Sequence, residues 1–97
     1  MTNNIELSAE ELGSVRKGVR AMVDGYAHTM SCRALAKLVF LALIEGGVTK
    51  RTMLLEEAHS ALALDYPLLA TILKRHQGNR VREPLWRVNF HGTYSLI

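Results

Sequence analysis

The sequence predicts a single, mainly α domain closed by a small β-hairpin, and three observations carry that prediction. Apolar residues recur at helical spacing in four segments between residues 8 and 77. The stretch 80–97 changes to alternation with a period of two around a glycine-containing turn. With 97 residues, 48% of them hydrophobic and 22% charged, the chain suits one modest core and is too short for a second domain, so 1–97 is taken as one unit.

The first helix is expected over 8–24. Ser8-Ala9-Glu10-Glu11 has the Ser-x-x-Glu form of a capping box, and Leu12, Val15, Val19, Met22 and Val23 then make an apolar stripe. Gly13 and Gly18 weaken it, so it needs tertiary support. After a connection over 25–30, Ser31 caps a second helix that is apolar on nearly every face from Leu35 to Glu45 and is stopped by Gly46-Gly47. That pattern marks the central buried helix.

Thr49 is the expected cap of a third helix, from Lys50 to about Ser60, with Leu54, Ala58 and Ala61 or Leu62 facing inward. Asp65 is the expected cap of a fourth, 65–77, whose first turn holds Pro67, where a missing N–H costs nothing. Its buried stripe is Leu69, Ile72, Leu73 and His76; its opposite face is Tyr66, Ala70, Thr71, Lys74, Arg75 and Gln77, before Gly78-Asn79 ends it. Leu38, Leu41, Ile44, Leu54, Leu69, Ile72 and Leu73 are expected to share one core. In the hairpin, Leu85, Arg87 and Asn89 alternate with Trp86, Val88 and Phe90, His91-Gly92-Thr93 turns the chain, and Tyr94 to Ile97 returns. Trp86 and Phe90 are expected to pack on the helices, because large aromatics favour burial over service as a stacking platform. Tyr94 fits either use.

Most chemistry finds no foothold here. His28, His59, His76 and His91 have no metal-ligand spacing, so no metal and no cofactor are expected. Cys32, alone at the start of an apolar helix, is expected to be an inert structural thiol, and a single cysteine builds no intrachain disulfide. Glu56 and Glu57 are adjacent, about 100° apart on a helix, which suits a solvated face better than a shared substrate. Gly46-Gly47 follows a helix instead of opening one, so it is no phosphate loop. The expectation is a non-enzyme. Residues 1–8 lack the pattern of a secretory signal, and the longest apolar run, Leu38 to Ile44, falls far short of the roughly 20 residues of a membrane span. A cytoplasmic location is expected.

Charge is divided unevenly. Residues 1–49 balance five basic against five acidic side chains, so the net +3 lies in residues 50–97, which points to a polyanionic or acidic partner for that half.

A helix trio followed by a basic hairpin is the order of a winged helix-turn-helix. Residues 34–97 resemble the effector domain of OmpR/PhoB-type response regulators, whose closing strand has a Gly-Tyr-x-Leu-like form; here it is Gly92-Thr93-Tyr94-Ser95-Leu96. The chain departs from that family in Thr93, in an N-terminal helix where the family has a sheet, in having no counterpart to the receiver domain, and in Ser60 to Leu64 where a compact glycine-centred turn is usual. The resemblance implies that helix 65–77 is a recognition helix. Tyr66, Thr71, Lys74 and Arg75 would then face the major groove, Arg80, Arg82 and Arg87 of the wing 80–97 would lie against the flanking backbone or minor groove, and Thr49, Lys50 and Arg51 would meet phosphate at a helix N-terminus.

The expected function is therefore a small DNA-binding transcription regulator. Its partner would be duplex DNA, bound as a homodimer joined through helix 8–24, whose stripe otherwise serves the chain's own core. The alternative is a protein-binding winged helix, such as an antiactivator or polymerase-binding regulator. Asp65, Glu56 and Glu57 favour it, since they would repel phosphates near the reading face.

Overall fold

The computed structural model describes residues 7–78 and 85–97. The expected first residues of the hairpin, 80–84, and Asn79 beyond the fourth helix lie outside the described residues. Four helices precede a two-stranded antiparallel hairpin: α1 (Ala9–Tyr26), α2 (Cys32–Glu45), α3 (Arg51–Leu62), α4 (Tyr66–Arg75), β1 (Trp86–Val88) and β2 (Tyr94–Leu96). The fold is mainly α with a small β-hairpin, as the sequence implies.

The helix starts show why the chain breaks where it does. Ser8 caps α1 with a complete capping box: its hydroxyl accepts the Glu11 N–H at 3.1 Å while the Glu11 carboxylate accepts the Ser8 N–H at 3.2 Å. Ser31 caps α2 through the Ala34 N–H. α1 runs two residues beyond the expected Asp24, because Gly25 keeps a negative φ and the Tyr26 carbonyl accepts the N–H groups of both Thr29 and Met30.

α2 is the axle of the core. Leu35, Ala36, Val39, Phe40, Leu43 and Ile44 are all buried, and α1, α3, α4 and β2 each pack on this helix. Leu54, Leu69, Ile72 and Leu73 join Ala36, Val39, Phe40, Leu43 and Ile44 in one cluster with Trp86 and Tyr94. Leu41 borders that cluster half-buried, whereas Leu38 is half-buried outside it, since the far side of α2 is left partly open. α1 lays Val19, with Leu12, Val15, Met22 and Val23 around it, onto this core, so its apolar stripe is occupied within the chain. A Cβ on Gly46 would stand 2.7 Å from a Val15 methyl, and Gly47 holds a left-handed φ of 104° beside Leu7. Only glycine lets α1 cross the end of α2 this closely. On the other side of α1, Arg16 clasps Glu57 of α3 in a two-pronged ion pair at 2.7 and 2.8 Å.

Other expectations need correction. Cys32 is exposed at the first turn of α2 and takes no part in apolar packing, because the buried face of that helix begins at Leu35. Thr49 does not cap α3; Lys50 holds that position without a side-chain bond, and the Thr49 carbonyl instead accepts the Tyr94 N–H at 2.8 Å. With Lys50 bridged to Thr93, this segment adds a third short rung to the hairpin. Asp65 occupies the N-cap of α4, yet its carboxylate makes no capping bond.

Candidate nucleic-acid interface

Between α3 and α4 the chain turns in three residues, Ala63-Leu64-Asp65. The turn is compact without glycine because Ala63 itself adopts a left-handed conformation, φ 56° and ψ 32°, and its N–H closes on the His59 carbonyl. His59 braces the corner from inside: its Nδ1 lies 2.7 Å from the Leu64 carbonyl, and its ring stacks on Tyr66 at 4.3 Å. As that carbonyl can only accept, Nδ1 must carry the hydrogen. Tyr66 is still 43% exposed at the start of α4.

α4 divides sharply into two faces. Leu69, Ile72 and Leu73 are buried, while Thr71, Lys74 and Arg75 are exposed. The Thr71 hydroxyl turns back to donate to the Pro67 carbonyl at 2.8 Å, so the methyl, and not the hydroxyl, is the group presented outward. Ala70 and Gln77 do not belong to this open face. Ala70 packs half-buried against the core, and Gln77 accepts from the Tyr94 hydroxyl at 3.4 Å while bridging to Trp86.

The hairpin is clamped to the end of α4. Trp86, fully buried, donates its indole N–H to the Leu73 carbonyl at 2.7 Å, and the His76 carbonyl accepts the Leu85 and Trp86 N–H groups at 2.9 and 3.4 Å. These donors satisfy carbonyls that a helix C-terminus leaves without partners. Phe40 and His76 both meet the Trp86 ring edge-on. Arg87, next along β1 and opposite Ser95, is exposed. Arg80 and Arg82 lie outside the described residues.

Lys50 and Arg51 are both exposed at the start of α3. Burial pushes the Tyr94 phenol above its ordinary value, and the neighbouring Arg51 guanidinium partly opposes that rise. Arg51, Tyr94 and Gln77 thus link the start of α3 to β2 and to the end of α4. Of the acidic groups near this surface, Glu56 and Asp65 are exposed, whereas Glu57 is neutralised by Arg16.

Phe90 reverses the expectation made for it. It is 94% exposed and packs on no helix, because β1 ends at Val88 and Asn89 starts the turn. The Asn89 side chain accepts the N–H groups of His91 and Thr93, which takes the alternation out of register one residue before Phe90. An Asn three residues before a Gly is a turn signal that competes with strand alternation, and it decides the outcome here.

Elsewhere, a shallow hollow lined by Arg16, Arg20, Asp24, Glu57 and Ser60 holds about 100 Å³. Ligand pockets usually enclose about 300 Å³ or more. Among the described residues no three His, Cys, Asp or Glu side chains gather as a metal site, and no helix is long and apolar enough to cross a membrane. Compared with known protein families, with characterised proteins and with solved structures, the chain matches none. Any kinship with OmpR/PhoB-type effector domains therefore rests on the order of elements and the closing-strand residues alone.

Proposed function

We propose that this chain is a cytoplasmic DNA-binding transcription regulator that reads duplex DNA with the outer face of α4 and steadies itself with the hairpin. The observation that carries the reading is the split of α4. A methyl from Thr71 and two cations from Lys74 and Arg75 stand on an open face, while the opposite face is anchored in the core and its last turn is clamped to a wing bearing Arg87. A threonine methyl suits a thymine methyl, and long cations reach guanine edges or phosphate. The first turn of α3, with no side-chain cap and with Lys50 and Arg51 exposed, suits a backbone phosphate. Thr49 keeps no such role in this reading, since its carbonyl serves the hairpin. A homodimer would use the outer side of α1, its apolar stripe being taken up within the chain.

A second reading, a protein-binding winged helix such as an antiactivator or polymerase-binding regulator, is favoured by the uncapped Asp65 carboxylate and the exposed Glu56, which oppose phosphate at the edge of the same face. Binding to labelled duplex pools across a salt series separates the two. A DNA reader loses affinity steeply, with a log-log slope of about 0.9 per phosphate neutralised. Thr71→Glu, which sets a carboxylate among the phosphates, is expected to abolish specific binding while the fold persists. Full DNA binding by this variant would move the reading surface off α4. Absence of DNA binding by the parent chain, with loss of a protein partner in Thr71→Glu, would favour the second reading.

A further inference from the structure

We infer that Phe90, at the tip of the hairpin, is a wedge that enters the minor groove of duplex DNA and unstacks a base step. The inference rests on the reading of α4 and the hairpin as a DNA-binding surface, and it adds a bent DNA to that reading. Every other Phe, Tyr and Trp of the described residues is at least half covered, whereas Phe90 is 94% exposed.

The turn fixes the backbone from which that ring projects. Gly92, at a left-handed φ of 78°, donates its N–H to the Asn89 carbonyl at 2.9 Å, and the Asn89 N–H bonds the Thr93 carbonyl at 3.1 Å. With the Asn89 side chain accepting two further N–H groups, the three-residue loop Phe90-His91-Gly92 has four bonds across it. The His91 ring lies against Phe90 at 4.0 Å, which backs the wedge with a second flat surface.

Its surroundings suit a nucleic acid better than a protein pocket. Arg87, Asn89, His91 and Gly92 around the tip are exposed, and residues 85–97 contain no carboxylate side chain. An aromatic anchor in a protein interface is normally ringed by other apolar groups that exclude water. An exposed phenyl ring among polar groups, with the cation Arg87 on the adjoining strand β1, matches the side chains that architectural proteins push between base steps, where the unstacked bases cover the ring and a cation meets phosphate.

The experiment uses the full chain and a duplex of about 30 base pairs rich in TA steps, which kink easily. The duplex carries donor and acceptor dyes at its ends and 2-aminopurine beside one step. Binding should brighten the 2-aminopurine and shorten the end-to-end distance, as expected for a kink of about 20–90°. Phe90→Ser should lose both signals and about tenfold in affinity with an unchanged salt slope, because stacking is removed and no charge is. Phe90→Leu, still an apolar wedge, should recover the kink. Thermal unfolding of each variant checks that the exposed site leaves the fold intact. A parent chain that binds without kinking the duplex, or a Phe90→Ser variant that kinks it as well as the parent, overturns the wedge and leaves the α4 reading standing. A parent chain that binds no duplex at low salt overturns both.

Discussion

α2 and α4 are built from similar apolar residues and are put to opposite uses. α2 is packed against by four other elements and buries six of its fourteen residues; α4 buries Leu69, Ile72 and Leu73 on one side and leaves Thr71, Lys74 and Arg75 open on the other. The difference lies in where polar residues interrupt the pattern. Between Leu38 and Ile44 no polar residue intervenes, whereas in α4 they recur where the core stripe is absent. One helix holds the molecule together, and the other is held so that it can present a surface.

The hardest test of that contrast is Phe40→Ala, expected to cost about 3–5 kcal/mol through lost packing and the cavity left against Trp86. A cost under about 1 kcal/mol in chemical denaturation would deny α2 its central place. Next comes the pair of neighbours on α4. Ile72→Ala, at a site 2% exposed, should cost about 2–5 kcal/mol, while Thr71→Glu should change stability by no more than about 0.5 kcal/mol. Equal costs at 71 and 72 would erase the division of the helix into two faces.

Ala63→Gly should raise stability by about 0.5–1 kcal/mol, because relief of the left-handed strain exceeds the extra freedom gained by the unfolded chain. A loss of stability would mean that the turn depends on the Ala63 side chain. The smallest effect concerns Tyr94. Its phenol is raised in the folded state, so the folded chain keeps the proton longer; the associated stability is full below the ordinary phenol value near 10 and is lost as pH rises through the higher folded value. Tyr94→Phe should flatten the fall in stability above about pH 10. An unchanged alkaline profile would assign that fall to other groups.

Local signals made much of this legible in the sequence. Ser8 with Glu11, Ser31, Gly46-Gly47 and Pro67 act within one helical turn, so their positions alone place the ends they control. The misreadings arise where a distant partner or a competing local bond decides. Thr49 looks like a cap until the Tyr94 N–H, far along the chain, takes its carbonyl. Phe90 looks like a strand residue until the Asn89 side chain starts the turn early. Cys32 looks buried because it opens an apolar helix, yet the buried arc starts three residues later. In the candidate site, the exposure of Thr71, Lys74, Arg75 and Arg87 follows from periodicity alone. The bracing of the corner by His59, the back-bonded Thr71 hydroxyl and the Trp86 clamp depend on which carbonyls are left without partners, and spacing does not carry that information.

The Trp86 clamp also makes the molecule its own gauge. Trp86 is the only tryptophan, and its indole hydrogen is sealed between the hairpin and the last turn of α4. That hydrogen can exchange with heavy water only when the strand lifts from the helix, so its exchange rate reports the free energy of parting wing from helix, separately from unfolding of the whole chain. If exchange of this one proton is as slow as that of the α2 amides, hairpin and helix open only with the core, and whatever α4 meets is met by both together.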